Sequence, residues 1–269
     1  MRRGLLESTM LGFARMLTRA MLSEKIARER GLLQSLDPRV RVLGLFSLVL
    51  AVTLCHRIAA VAALFVVAVV LAAFSSVSPV TLAKRVWSAV LAFTGVIALP
   101  AIFLTPGVPV GAAAGLTVTQ QGLRTAGLLV LRVETAVTFT ALLVLCTPWN
   151  QVLKALRALH LPKEAIVMLA MTYRYVFLLV ETATQMFDSR RSRTVGVLAG
   201  AEQRRMAART AGVLLSKSID MSNEVYLAMQ SRGFSGNVQV LPDFHITMWD
   251  ICVMLAFLLT ATVAIWLGR

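Results

Sequence analysis

With 58% of its 269 residues hydrophobic, 15% charged and a mean hydropathy of +0.76, the chain is too apolar for an ordinary soluble enzyme or a disordered tail. Its formal net charge of +14, from 27 Lys and Arg against 13 Asp and Glu, is by itself the balance of a nucleic-acid binder. The three cysteines, Cys55, Cys146 and Cys252, lie far apart in apolar runs, which excludes a small disulfide scaffold or a metal knuckle and reads as buried small apolar thiols.

From the N-terminus, Leu5-Leu6, Met10-Leu11, Phe13, Leu17 and Met21-Leu22 suit an amphipathic helix on the inner leaflet. Glu7, Arg15 and Arg19 interrupt any apolar signal-peptide core, and a frayed cytoplasmic extension is the alternative. Uncharged runs follow at Val42–Cys55, Ile58–Ala83, Val86–Leu123, Thr135–Leu153 and Ile251–Gly268. A helix crossing the hydrocarbon needs about 20 apolar residues. The first run is short, but Arg39, Arg41 and Arg57 can snorkel to the two interfaces. The second should end near Phe74, before Ser75-Ser76 and Ser78-Pro79, and the third near Leu104, before Thr105-Pro-Gly-Val-Pro109. Val110–Gln121 is small and polar and reads as loop, so the fourth span begins near Thr125 and encloses Arg132 and Glu134. The fifth begins at about Ile246.

The expectation is an all-α membrane protein of about five spans. Residues 1–36 form a cytoplasmic segment, 37–147 four spans, 148–245 a cytoplasmic helical domain and 246–269 the fifth span. Lys and Arg set the orientation. Nine precede Val42, two lie between spans two and three, and twelve between Pro148 and His245, against three on the opposite side. The N-terminus is therefore expected in the cytoplasm and the C-terminus outside, in the inner membrane of a prokaryote. The basic excess marks the lipid bilayer's inner side rather than a nucleic acid, for which no partner role is expected.

In the insert, Thr147-Pro148 starts a helix that Leu161-Pro162 ends. A second helix runs from about Lys163 to Arg193 and a third from about Glu202 to Ser231, with Gly233 as its left-handed cap. Two helix-terminal arginine clusters stand out, Ser189-Arg190-Arg191-Ser192-Arg193-Thr194 and Ser231-Arg232-Gly233. Spacing leaves two readings open. The cations complement the negative ends of helix dipoles, or small neighbours leave a planar guanidinium free to fork into a partner's carboxylate or carbonyls.

Leu36-Asp37-Pro38-Arg39-Val-Arg41, Thr147-Pro148 with Leu153-Lys-Ala-Leu156 and Leu161-Pro162, Tyr173-Arg174-Tyr175, Ser189–Arg193 and Ala228-Met-Gln-Ser-Arg232-Gly-Phe234 occur in that order on this topology. Together they resemble the transmembrane (T) component of energy-coupling-factor (ECF) ABC transporters, closest to the cobalt/nickel subfamily, over about Leu36 to Phe234. The resemblance implies that two Ala-Arg-Gly-like triplets dock into grooves on a pair of ABC-type ATPase subunits. Here they are Ser231-Arg232-Gly233 and, most nearly, Ser192-Arg193-Thr194. The departures from Ala and Gly leave the first inserted residue open, with Arg193 favoured over Arg191 and Arg190. The resemblance also implies a substrate-capturing S-type membrane subunit, with ATP and magnesium held by the ATPases and no cofactor by this chain.

The residues agree with a non-catalytic subunit. Gly212-Val-Leu-Leu-Ser-Lys217-Ser218 lacks the second glycine of a phosphate-binding loop. His56, His160 and His245 have no ligand spacing, and no Ser/His/Asp, Cys/His or paired-carboxylate set appears. Asp37-Pro38 reads as an N-cap with proline in the first turn. Arg132 and Glu134, two residues apart, cannot face each other on one helix and call for partners elsewhere, for assembly or for the translocation path. Arg174, between two tyrosines, reads as an interfacial anchor or helix contact. The alternatives are a T component shared among vitamins, a conventional ABC permease, or a membrane-embedded lipid enzyme.

Overall fold

The computed structural model describes residues 31–75, 82–106, 108–113, 116–159, 161–193, 200–234 and 247–269. The first 30 residues, where the amphipathic helix is expected, lie outside that set. Among the described residues the chain is helical apart from one short β-hairpin. Packing divides it into two compact units, one containing residues 31–155 and 247–269, the other residues 156–234.

The larger unit opens with a single turn, α1 (Leu32–Ser35), followed by α2 (Pro38–Leu54). The side chain of Asp37 accepts from the Arg39 amide, and Pro38 occupies the first turn, where no amide donor is needed. Helix α3 (Ile58–Phe74) carries no charge and ends at Phe74, as the sequence predicts, with Ser75 as its C-cap. A π-helical stretch, Ala83–Trp87, leads into α4 (Ser88–Leu104), which has Pro100 in its interior and stops before Pro106. The region expected to be loop is instead a hairpin, β1 (Pro109–Ala113) antiparallel to β2 (Leu116–Thr119). Thr119 then caps α5 (Gln120–Cys146) by accepting from the Gly122 amide. This cap starts the fourth apolar helix five residues before the expected Thr125. Helix α6 (Trp149–Ala158) follows, with the Pro148 carbonyl accepting from Gln151 and Val152. The last helix, α9 (Met248–Gly268), begins with a reciprocal capping box between Thr247 and Asp250.

Around the core of this unit, α2 supplies Leu45, Leu48 and Val52, α3 Val61 and Leu64, α5 Phe139 and Leu142, and α9 Phe257 and Ala261. Small residues bring α2 and α9 together. Gly44 lies under the Phe257 ring and Gly268 against Cys55. The outer faces are as apolar as the core, with Trp266 81% and Phe93 71% exposed. A helix that is apolar all round, with its largest side chains outward, belongs in lipid. Cys55 and Cys146 are buried as expected, but Cys252 is exposed, because it lies on the outward face of α9.

The smaller unit contains α7 (Lys163–Ser192) and α8 (Gly200–Ser231). By length and composition α5, α7 and α9 are able to cross a membrane, whereas α3 and α4 are shorter apolar helices. At 1.5 Å per residue, 17 residues give about 26 Å, slightly less than the hydrocarbon core.

Candidate functional site

The two arginine clusters end the two long helices of the smaller unit. Helix α7 stops at Ser192 and Arg193 occupies the following turn, its amide donating to the Arg190 carbonyl at 3.1 Å. The Arg193 side chain is exposed, as is that of Ser192, whose hydroxyl turns back to the Ser189 carbonyl at 2.9 Å. Arg190 is partly covered and makes contacts of its own, which favours Arg193 as the outward residue. Arg191 is still within α7.

Helix α8 ends in the same way. Ser231, Arg232 and Gly233 are all exposed, and the Ser231 hydroxyl donates to the Ala228 carbonyl at 3.0 Å. Gly233 has φ +77°, and its amide and that of Phe234 close on the carbonyls of Gln230 and Met229. This left-handed cap is the one the sequence predicts, and it needs glycine. It turns the chain away directly after Arg232, so the guanidinium projects from a helix end.

The two arginines do not form one patch. Helix α8 has 32 residues and is about 48 Å long. Arg193 precedes Gly200 by seven residues, which reach at most about 25 Å. Arg193 and Arg232 are therefore at least about 20 Å apart, far enough for two separate contacts. Between them, Met168 to Leu179 of α7 face Ser218 to Met229 of α8 around a groove of ≈ 370 Å³. Tyr175 lines that groove, Tyr173 stacks edge-on against Phe177, and Arg174 is exposed.

The other candidate residues lie in the larger unit. Asp37 and Pro38 are buried and Arg39 is half-buried at the start of α2. The Asp37 amide donates to Asp250 Oδ1 at 2.9 Å, which joins the starts of α2 and α9. Arg132 finds the inter-helix partner it was expected to need. It donates to the Cys55 carbonyl in the turn between α2 and α3. Glu134 does not, since neither carboxylate oxygen has a hydrogen-bond partner among the described residues.

Arg41 is the residue that sequence reasoning missed. Rather than snorkelling to an interface, it is 1% exposed and its guanidinium donates to the carbonyls of Gln34, Leu36 and Cys146 and to the side chains of Thr147 and Gln151. Its two terminal nitrogens can stay inside because carbonyls at helix ends carry negative dipole character, whereas Nε has no hydrogen-bond partner among the described residues. Arg41 ties the start of α2 to the α5–α6 junction, through which the chain passes into the smaller unit.

The family described as CbiQ, cobalt transport protein, matches residues 29–243. The chain belongs to that family. Over 237 residues, 86% of this chain and 81% of the relative, it is 32% identical to an uncharacterized protein, MJ1571, of Methanocaldococcus jannaschii. It is also 32% identical over 165 residues to the cobalt transport protein CbiQ of Rhodobacter capsulatus, which covers 58% of this chain and 63% of the relative. Membership of a cobalt transport family fits the resemblance to the cobalt-type T component. It also makes the chain a membrane transport component rather than a catalyst. The matched range contains both arginine clusters, Asp37-Pro38, Arg41 and the Arg132–Glu134 pair.

Proposed function

We propose that this chain is the energy-coupling transmembrane subunit of an ECF-type ABC importer for cobalt. It connects a pair of ATPase subunits to an S-type subunit that captures the ion. Arg193 and Arg232 are the docking residues, one for each ATPase, with Arg191 as the runner-up at the first position. Ser192, Ser231 and Gly233 keep the two guanidinium groups clear. ATP and magnesium reside on the ATPases, and this chain supplies no catalytic group and no resident metal site.

The observation that carries this reading is the pair of exposed arginines at two separate helix ends of one helical unit. One arginine per end suits two identical partners, because planar donors can fork into carbonyls or a carboxylate in each groove. A stiff helix pair linking the two contacts converts a change in the spacing of the ATPases into movement of the membrane subunits. Cobalt is favoured over a vitamin or nickel by the family match. In this reading α7 and α8 lie at the inner leaflet, the N-terminus is cytoplasmic and the C-terminus external, as 23 of 27 basic residues on one side require.

The test is Arg193→Ala with Arg232→Ala in the assembled complex, read as ATPase co-purification and cobalt uptake in proteoliposomes. The double variant should insert normally and lose both. Unchanged uptake overturns the reading, and a complex that works with ATPases and no second membrane subunit points to a conventional permease.

A further inference from the structure

A second feature lies in the membrane part of the chain, away from the arginines. Helices α3, α4 and α5 border an apolar cleft of ≈ 710 Å³. Among larger apolar side chains its lining includes four small residues, Gly95 and Ala98 on α4 and Ala126 and Gly127 on α5. A Cβ placed on Gly95 or Gly127 would meet no atom within 4 Å, so the space above both is open. Glu134 also lines the cleft. It is 6% exposed, and both carboxylate oxygens are buried without a hydrogen-bond partner among the described residues. Trp87 Nε1 donates to Thr138 Oγ1, one turn further along α5, at 3.0 Å.

A buried carboxylate without a donor, in an apolar setting, is costly enough that such groups are kept for a partner or a path. Its depth indicates which partner. Glu134 is 14 residues from the first residue of α5 and 12 from the last, about 20 Å from either end. With that much helix on both sides it lies near the middle of the ~30 Å hydrocarbon layer, about 15 Å from either surface, so the amine of a lipid headgroup does not reach it. A helix crossing the membrane does. Small residues allow another helix backbone to come close, and the carboxylate supplies the polar fastening that lipid-facing packing lacks.

We infer that this cleft seats a transmembrane helix of another membrane subunit, whose basic side chain pairs with Glu134. The inference rests on the proposed membership of a multi-subunit membrane assembly, and it commits to a partner other than a second copy of this chain.

The experiment places a photo-cross-linking amino acid at Leu99, an exposed residue lining the cleft, in the full chain, in native membranes and without ATP, and maps the adduct by mass spectrometry. The expected adduct is a membrane-spanning segment of a different subunit with Arg, Lys or His at mid-depth. Glu134→Gln should reduce its yield about tenfold, and exchanging the charges, Glu134→Lys with the partner's basic residue changed to Glu, should restore it. Gly127→Leu, probed from the same position, should abolish the adduct, while Thr262→Leu on the exposed face of α9 should leave it intact. An adduct to lipid alone, to a second copy, or to a helix without a basic residue overturns the inference, as does an unchanged yield in Glu134→Gln. Because no turnover is involved, a failure here is separable from failure of the arginine test, which reads only ATPase contact and uptake.

Discussion

The guanidinium of Arg41 donates to the backbone carbonyl of Cys146 at 2.6 Å, across 105 residues of sequence. The same group also serves the carbonyls of Gln34 and Leu36. Three chain segments that end or begin helices are thus held by one planar donor set. Replacing Arg41 with Ala leaves those carbonyls buried and unsatisfied, which should cost at least about 3 kcal/mol at roughly 1–3 kcal/mol per group. Thermal unfolding in detergent checks it, with Arg41→Lys recovering only part of the loss because an ammonium cannot span the same acceptors.

A second connection uses Asp250. Its carboxylate accepts from the Thr247 amide and, on the other oxygen, from the Asp37 amide, both at 2.9 Å. Asp250→Ala removes the return half of the α9 capping box and the link to α2 together and should lower stability by about 1–2 kcal/mol. Asp250→Asn keeps an acceptor oxygen for one of the two amides and should recover about half. Melting of the purified chain separates the two variants.

These two residues show what the sequence carried and what it did not. The Asp37 cap, the left-handed Gly233 and the ends of α3 and α4 were legible because each depends on neighbours a few positions away. The Thr247-x-x-Asp250 box has the same local character and is as readable from the spacing of its two residues. Arg41 was not legible, since an arginine beside an apolar run snorkels unless distant carbonyls converge on it. The hairpin escaped for another reason. Its residues are small, and only pairing such as Ala113 with Leu116 distinguishes it from loop. Of the candidate site, the arginine clusters were visible as helix ends, but their separation depends on the full length of α8.

Gly44 and Phe257 offer a test of the packing that unites α2 and α9. A Cβ at Gly44 would fall inside contact distance of the Phe257 ring, which is itself buried. Gly44→Ala should therefore cost about 1–3 kcal/mol, as overpacking does. Adding Phe257→Leu should return part of that loss if the clash is the cause. A double-mutant cycle measured by thermal unfolding gives the coupling directly.

The placement of α7 can be tested without any partner. In a cysteine-free background, single cysteines at Glu164 and Ser189 mark the two ends of this helix. The proposed inner-leaflet position puts both on the cytoplasmic side, so a membrane-impermeant maleimide should label both in inverted vesicles and neither in intact cells. A helix that crosses would give opposite labelling at the two sites. That outcome would place the clusters on different sides and remove the shared docking surface.

Gly233→Ala separates the shape of the second docking end from its charge. The substitution keeps Arg232 but forces an L-residue into φ +77°, a strain of about 1–2 kcal/mol confined to the last turn of α8. Gly233 is exposed and has open space around it, so the fold as a whole should be unaffected. If docking needs a guanidinium that projects from a sharply ended helix, Gly233→Ala should weaken ATPase association several-fold, with Gly233→Asn closer to the parent because Asn tolerates the left-handed region. If only the positive charge matters, both variants should bind as the parent does, while Arg232→Ala alone fails. Titrating detergent-solubilised chain against purified ATPase distinguishes the two.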